Sequence, residues 1–160
     1  MSGRAGRDGA PARIHLLFGD NDARINERIL GAQAPSRDDL AALYRVLRAT
    51  AEREGDGFEV TNAELATGAQ KMGGSLDDRG VSSALGIMRE LGLVTGEGYG
   101  TLRRLTVGPH DRKVELSSSL RYAEAQQELE EFAQFKTWVM NSTEEELLAR
   151  FNRPILPQDA

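Results

Sequence analysis

The chain has 160 residues, which suits one domain or one small domain with appendages, and its 39% hydrophobic content supports a modest core. Cysteine is missing and only His15 and His110 carry imidazole, so disulfides and thiolate metal sites are excluded and a zinc site of usual composition has too few ligands. The net charge of −5 argues at first against nucleic acid, yet residues 71–113 carry seven basic and five acidic side chains, against four and nine in residues 114–160. A footprint on DNA needs a local patch more than a basic whole, and the middle of the chain is mildly basic. No apolar run approaches the roughly 18–20 residues that span a bilayer, and no signal peptide is expected, since the first residues are Gly/Arg-rich without an apolar run. A cytoplasmic location without membrane partners is therefore expected, in keeping with the missing cysteine.

Residues 3–9 read Gly-Arg-Ala-Gly-Arg-Asp-Gly. Two arginines three apart among glycines form a loop whose backbone can approach a phosphate while the planar guanidiniums clamp it. Gly19-Asp20-Asn21-Asp22 is a turn in which Asp20 or Asn21 can cap a short helix to about Ala34, with Ile25, Ile29 and Leu30 as its apolar stripe. Pro35-Ser36 opens the next helix, where Asp38 and Asp39 suit the positive end of the macrodipole. Leu40, Leu43, Tyr44 and Leu47 recur at helical spacing over residues 37–53, and Gly55-Asp56-Gly57 stops it.

Phe58-Glu59-Val60 alternates like a short strand, and Thr61 with Glu64 forms a capping box for a helix to about Gln70. Met72-Gly73-Gly74 turns the chain, Ser75 with Asp78 is a candidate second cap, and a further helix carries Val81, Ala84, Leu85, Met88 and Leu91 on one face as far as Gly92. Thr95–Gly100 reads as a hairpin tip, with Leu102, Leu105 and Val107 on the return strand. Helix, short strand, helix, turn, helix and glycine-tipped hairpin are the parts of a winged helix-turn-helix, whose third helix enters a major groove while the wing touches the backbone. Beyond Lys113, Val114–Leu116 is expected to extend a strand and Ser117–Ser119 to be a linker. A long helix then runs from about Leu120 to Met140, and Ser142 with Glu145 is expected to cap a last one.

The expected fold is mainly α with a small β component, divided at 1–34, 36–113 and 114–160. The Gly-Arg-Ala-Gly-Arg-Asp-Gly string resembles motif VI of superfamily 2 helicases in the form used by the RecQ family. The resemblance implies that Arg4 and Arg7 contact the γ-phosphate of ATP, Arg4 as sensor and Arg7 as arginine finger, and that residues 1–34 are the end of a RecA-like lobe whose last strand is Arg13–Phe18, ahead of a winged-helix domain at 36–113 and a helical tail at 114–160. The chain has no G-x-x-x-x-G-K-[ST] loop and no DEAH-like acidic pair of its own. The resemblance accordingly implies no cofactor held by this chain alone, with ATP and Mg²⁺ held by upstream helicase lobes of the same protein. The winged-helix region and the tail Glu-Leu-Leu-Ala-Arg-Phe-Asn-Arg-Pro-Ile-Leu-Pro look like the C-terminal extension of helicase-fused RecJ-type exonucleases, which places the chain in DNA recombination and repair. None of the nuclease's metal-binding aspartate and histidine motifs occurs.

If the wing unit binds DNA, at a fork or a single-stranded/duplex junction, the contacts expected are Arg79, Ser82, Ser83 and Arg89 on the third helix, Lys71 before it, and Tyr99, Arg103 and Arg104 on or beside the wing. Asp77, Asp78, Glu90 and Glu97 partly cancel that patch. Phe132, Phe135, Trp138 and Phe151 read as packing residues, and Glu144–Glu146 as first-turn acids. Two other readings stay open on the residues: a stand-alone winged-helix transcription regulator dimerised by its tail, and a protein-interaction module without DNA contact.

Overall fold

The computed structural model describes residues 15–97, 102–109 and 113–151, so that Arg4, Arg7 and Tyr99 lie outside the described residues. In chain order the elements are α1 (Asp20–Gln33), α2 (Arg37–Glu54), β1 (Phe58–Thr61), α3 (Asn62–Lys71), α4 (Asp78–Glu90), β2 (Val94–Glu97), β3 (Leu102–Val107), α5 (Leu120–Asn141) and α6 (Glu144–Phe151). The fold is mainly helical with one antiparallel sheet of strand order β1-β3-β2. From α2 to β3 this is the winged helix-turn-helix arrangement, with α3 and α4 as the helix-turn-helix pair and β2-β3 as the wing. Among the described residues no helix is long and apolar enough to cross a membrane.

Local chemistry explains most element boundaries. Ser36 caps α2 and receives the Asp39 backbone N–H, while the Asp39 carboxylate takes the Ser36 N–H in return. Thr61 and Glu64 make the same reciprocal pair at α3. Leu40, Leu43 and Leu47 of α2 then meet Leu65 and Ala69 of α3, Val81, Leu85 and Met88 of α4, and Phe58, Val94 and Leu105 of the sheet in one buried cluster. α4 stops at Gly92, whose φ of 70° turns the chain directly into β2.

Several expectations are corrected. Residues 15–18 carry no strand; Phe18 instead packs edge-on against Phe135 of α5, with ring centroids 5.4 Å apart. Gly19, not Asp20 or Asn21, stands at the cap of α1, and Asp22 accepts its N–H. The cap of α4 is Asp77, which accepts from Arg79 and Gly80 N–H, because Ser75 is drawn away to Asp39 of α2. Thr95–Glu97 is paired strand and not tip: Thr95 faces Thr106, and Gly96 faces Leu105. Val114 and Glu115 extend no strand, and Leu116–Ser118 forms a single 3-10 turn. The last helix is set by Thr143 and Glu146 in place of Ser142 and Glu145.

Gly96 allows the close approach of the wing strands, since a Cβ there would run into the Arg104 carbonyl oxygen and stand 2.8 Å from Leu105 Cδ2. Gly96→Ala is expected to lower stability by about 1–3 kcal/mol in urea denaturation. Gly31→Ala in α1, where a Cβ meets nothing within 4 Å, should raise it by about 0.5–1 kcal/mol.

Candidate nucleic-acid interface

α4 is enclosed on more sides than a free recognition helix. Its apolar face (Val81, Ala84, Leu85, Met88) is in the core. Toward α1, a Cβ added at Gly80 would stand 3.7 Å from the Ala32 carbonyl oxygen, and toward α5 one added at Gly86 would stand 3.5 Å from Arg121 Cδ. A cleft of about 750 Å³ runs between α1 and α4, lined by Ile25, Arg28 and Gln33 on one side and Asp77, Arg79, Ser82 and Ser83 on the other. α1 is also tied to α5, by Lys136 Nζ to Glu27 Oε1 at 2.7 Å, and Phe18 just ahead of α1 packs against Phe132 and Phe135. The aromatic stripe of the tail is thus a packing surface for the residues ahead of α1, with Arg150 lying 4.6 Å over the Trp138 ring.

On its remaining side, α4 faces the sheet through a polar network. Arg103 of β3 donates from Nε to Asn62 Oδ1 at 2.8 Å and from Nη2 to Ser82 Oγ at 3.0 Å, and Asn62 Nδ2 donates to Ser82 Oγ at 2.8 Å. Arg103 shares the inward side of β3 with buried Leu105, as the period of two requires. Its pKa is pushed down, first by burial and then by the positive charge of Arg89. Arg89, from the last turn of α4, has Nε and Nη2 buried without a hydrogen-bond partner. Among the described residues neither arginine has a carboxylate within ion-pair distance.

The acids expected to cancel this charge are largely occupied elsewhere. Asp77 caps α4, where its charge meets the first-turn N–H groups. Glu90 turns to the start of α5: it accepts from Ser119 Oγ at 2.7 Å and pairs with Arg121 Nε at 2.7 Å. The Ser119 hydrogen bond is the main cause holding its carboxyl below the usual range. Arg104 faces the other side of the sheet: its backbone register partners are Glu59 of β1 and Glu97 of β2, and its Nε donates to the Gly57 carbonyl.

The residues singled out in the sequence therefore fall into separate groups. Ser82, Arg89 and Arg103 come together beside α4; Arg79 and Ser83 line the α1 cleft; Arg104 sits on the outer sheet face, and Lys71 is exposed at the end of α3. Asn62 and Arg28, which complete the two groups beside α4, have no local sequence signal, since both are brought there only by the packing of distant segments. Among the described residues no group of three histidine, aspartate or glutamate side chains could hold a metal ion. Comparison with protein-family models, curated proteins and solved structures finds no match for this chain.

Proposed function

We propose that the chain is a DNA-binding accessory unit of a RecQ-like, ATP-driven repair helicase, and that it grips the phosphate backbone of forked or junction DNA without reading sequence. The observation that carries this reading is the Arg89–Arg103 pair: two guanidiniums close enough to repel, beside Ser82, with no carboxylate within ion-pair distance among the described residues. Like charges held together at a cost to stability favour an anion at the part-exposed Arg103 and the exposed Ser82, and arginine is the side chain suited to phosphate. The Gly-Arg-Ala-Gly-Arg-Asp-Gly string supports the helicase context, in which Arg4 and Arg7 would reach a nucleotide held, with its Mg²⁺, by helicase lobes of the same protein.

Steric fit favours backbone contact over base readout. A helix with side chains is about 10–12 Å across and a B-DNA major groove about 12 Å wide, so α4 with α1 beside it is too broad to enter. This weighs against a sequence-specific regulator that inserts α4. The test is fluorescence anisotropy with forked duplexes of unrelated sequence over a range of salt. Affinity is expected to be equal across sequences and to fall with a log–log slope of about −2 to −4, as a few phosphates are neutralised. Absence of salt-sensitive binding to any DNA would leave the protein-interaction reading in its place. A dimer preferring one palindrome would favour the regulator.

A further inference from the structure

We propose that the chain also holds a binding site for a small apolar carboxylate, in a hollow formed by α2, the end of α4 and the segment leading into α5. This site shares no lining residue with the α1–α4 cleft and does not depend on the DNA reading.

The hollow has a volume of about 150 Å³ and is lined by Leu40, Ala41 and Tyr44 of α2, by Met88, Leu91 and Leu93, and by Val114 and Leu116. A volume of that order in an apolar wall is what one benzene ring fills. A buried polar atom interrupts the wall: Tyr44 Oη has no hydrogen-bond partner among the described residues. A buried hydroxyl without an acceptor is costly, so an acceptor is the chemistry that the hollow lacks. Arg37 stands at its mouth. A second hollow of about 320 Å³ adjoins through Arg37, Val114 and Leu116, which line both, and adds Lys113, Glu115, Ser117 and Tyr122.

The charge at this mouth decides the class of ligand. Arg37 occupies the first position of α2, where the macrodipole disfavours a cation. Among the described residues neither Arg37 nor Lys113 forms an ion pair, and the one carboxylate present, Glu115, accepts from Ser117 Oγ at 3.2 Å. Among the described lining residues two cations stand against one acid, and beside a phenol seeking an acceptor they fit a carboxylate attached to a body of about one ring. The ring enters between Leu40, Met88 and Leu91, and the acid faces Arg37 and Lys113.

The test uses the full chain with benzoate as probe and benzamide as its uncharged counterpart, following the Met88, Leu40 and Leu91 methyl signals by NMR. Benzoate is expected to shift these signals saturably in the millimolar range or below, and benzamide to bind more weakly. Arg37→Gln with Lys113→Gln should weaken benzoate by about tenfold or more, the loss of a charge-assisted contact. Ala41→Met should fill the hollow and abolish the shifts without lowering the thermal midpoint. Tyr44→Phe should raise the midpoint of the free protein and shrink the rise that benzoate causes. Unsaturable shifts, equal binding of benzamide, or unchanged binding in Ala41→Met would overturn the site. A lower midpoint for Tyr44→Phe would do so as well, because it would mean that water already satisfies the hydroxyl.

Discussion

Asp39→Ala is expected to lower the free energy of unfolding by about 2–4 kcal/mol, a large effect for a carboxylate near a helix start. Asp39 is 7% exposed and accepts four hydrogen bonds: from Ser36 N–H at 3.1 Å and Ser36 Oγ at 2.7 Å, and from Ser75 N–H at 2.6 Å and Ser75 Oγ at 3.0 Å. It thus closes the cap of α2 and fastens the turn before α4 to it. Burial by itself raises the pKa of this carboxyl, but the hydrogen bonds from Ser75 and Ser36 outweigh it and the pKa is lowered. The folded pKa lies below the unfolded one, so the ionised group stabilises the fold fully above about pH 4, and that contribution is lost as pH falls through the folded value. Urea denaturation at neutral pH should therefore separate wild type from Asp39→Ala and, by less, from Asp39→Asn, which keeps one acceptor oxygen. The gap to Asp39→Asn should narrow on acidification. A gap that is constant down to pH 2 would show that the charge of Asp39 contributes nothing.

The second large effect divides stability from binding. Arg89→Met keeps the aliphatic stem in place and removes two buried nitrogens that have no partner, together with the repulsion on Arg103. The variant is expected to be more stable than wild type by about 1–2 kcal/mol, the usual cost of leaving buried donors unsatisfied. If the pair awaits phosphate, the same variant should bind forked DNA about tenfold more weakly at low salt, with the log–log salt slope reduced by about one unit. Arg104→Gln, which removes a guanidinium on the outer sheet face away from Arg89 and Arg103, should leave that slope nearly unchanged. A gain in stability with no loss of binding would make Arg89 a structural defect and remove the argument for the site. Loss of binding in Arg104→Gln alone would move the interface to the outer face of the sheet.

Much of this architecture is legible in the residues because it is local. The spacing of Leu40, Leu43 and Leu47, the Thr61–Glu64 box and the Leu-Gly-Leu-Val stop each act over one or two turns, and the corresponding helices and strand start lie where those signals place them. What escapes is long-range. Ser75 looks like a cap until Asp39, 36 residues away, takes both its N–H and its hydroxyl. Arg103 reads as a wing charge, but the pleat turns it inward to Asn62, 41 residues earlier. Thr95–Glu97 looks too glycine-rich for a strand, yet Gly96 is what lets β2 lie against β3. The strand expected at Arg13–Phe18 came from resemblance and not from periodicity, and the described part of it is used for aromatic packing instead.

The knot at Ser119 bears on where the polypeptide can be cut. Ser119 is wholly inaccessible to solvent, begins α5 by receiving the Tyr122 N–H, and donates its own hydroxyl to Glu90. A truncated version ending at Lys113 would strip Glu90 of its serine and arginine partners at once, and would uncover the Gly86 side of the helix. A version ending at Lys113 is therefore expected to be less stable than one that reaches past the first turns of α5, as urea denaturation of the two would read.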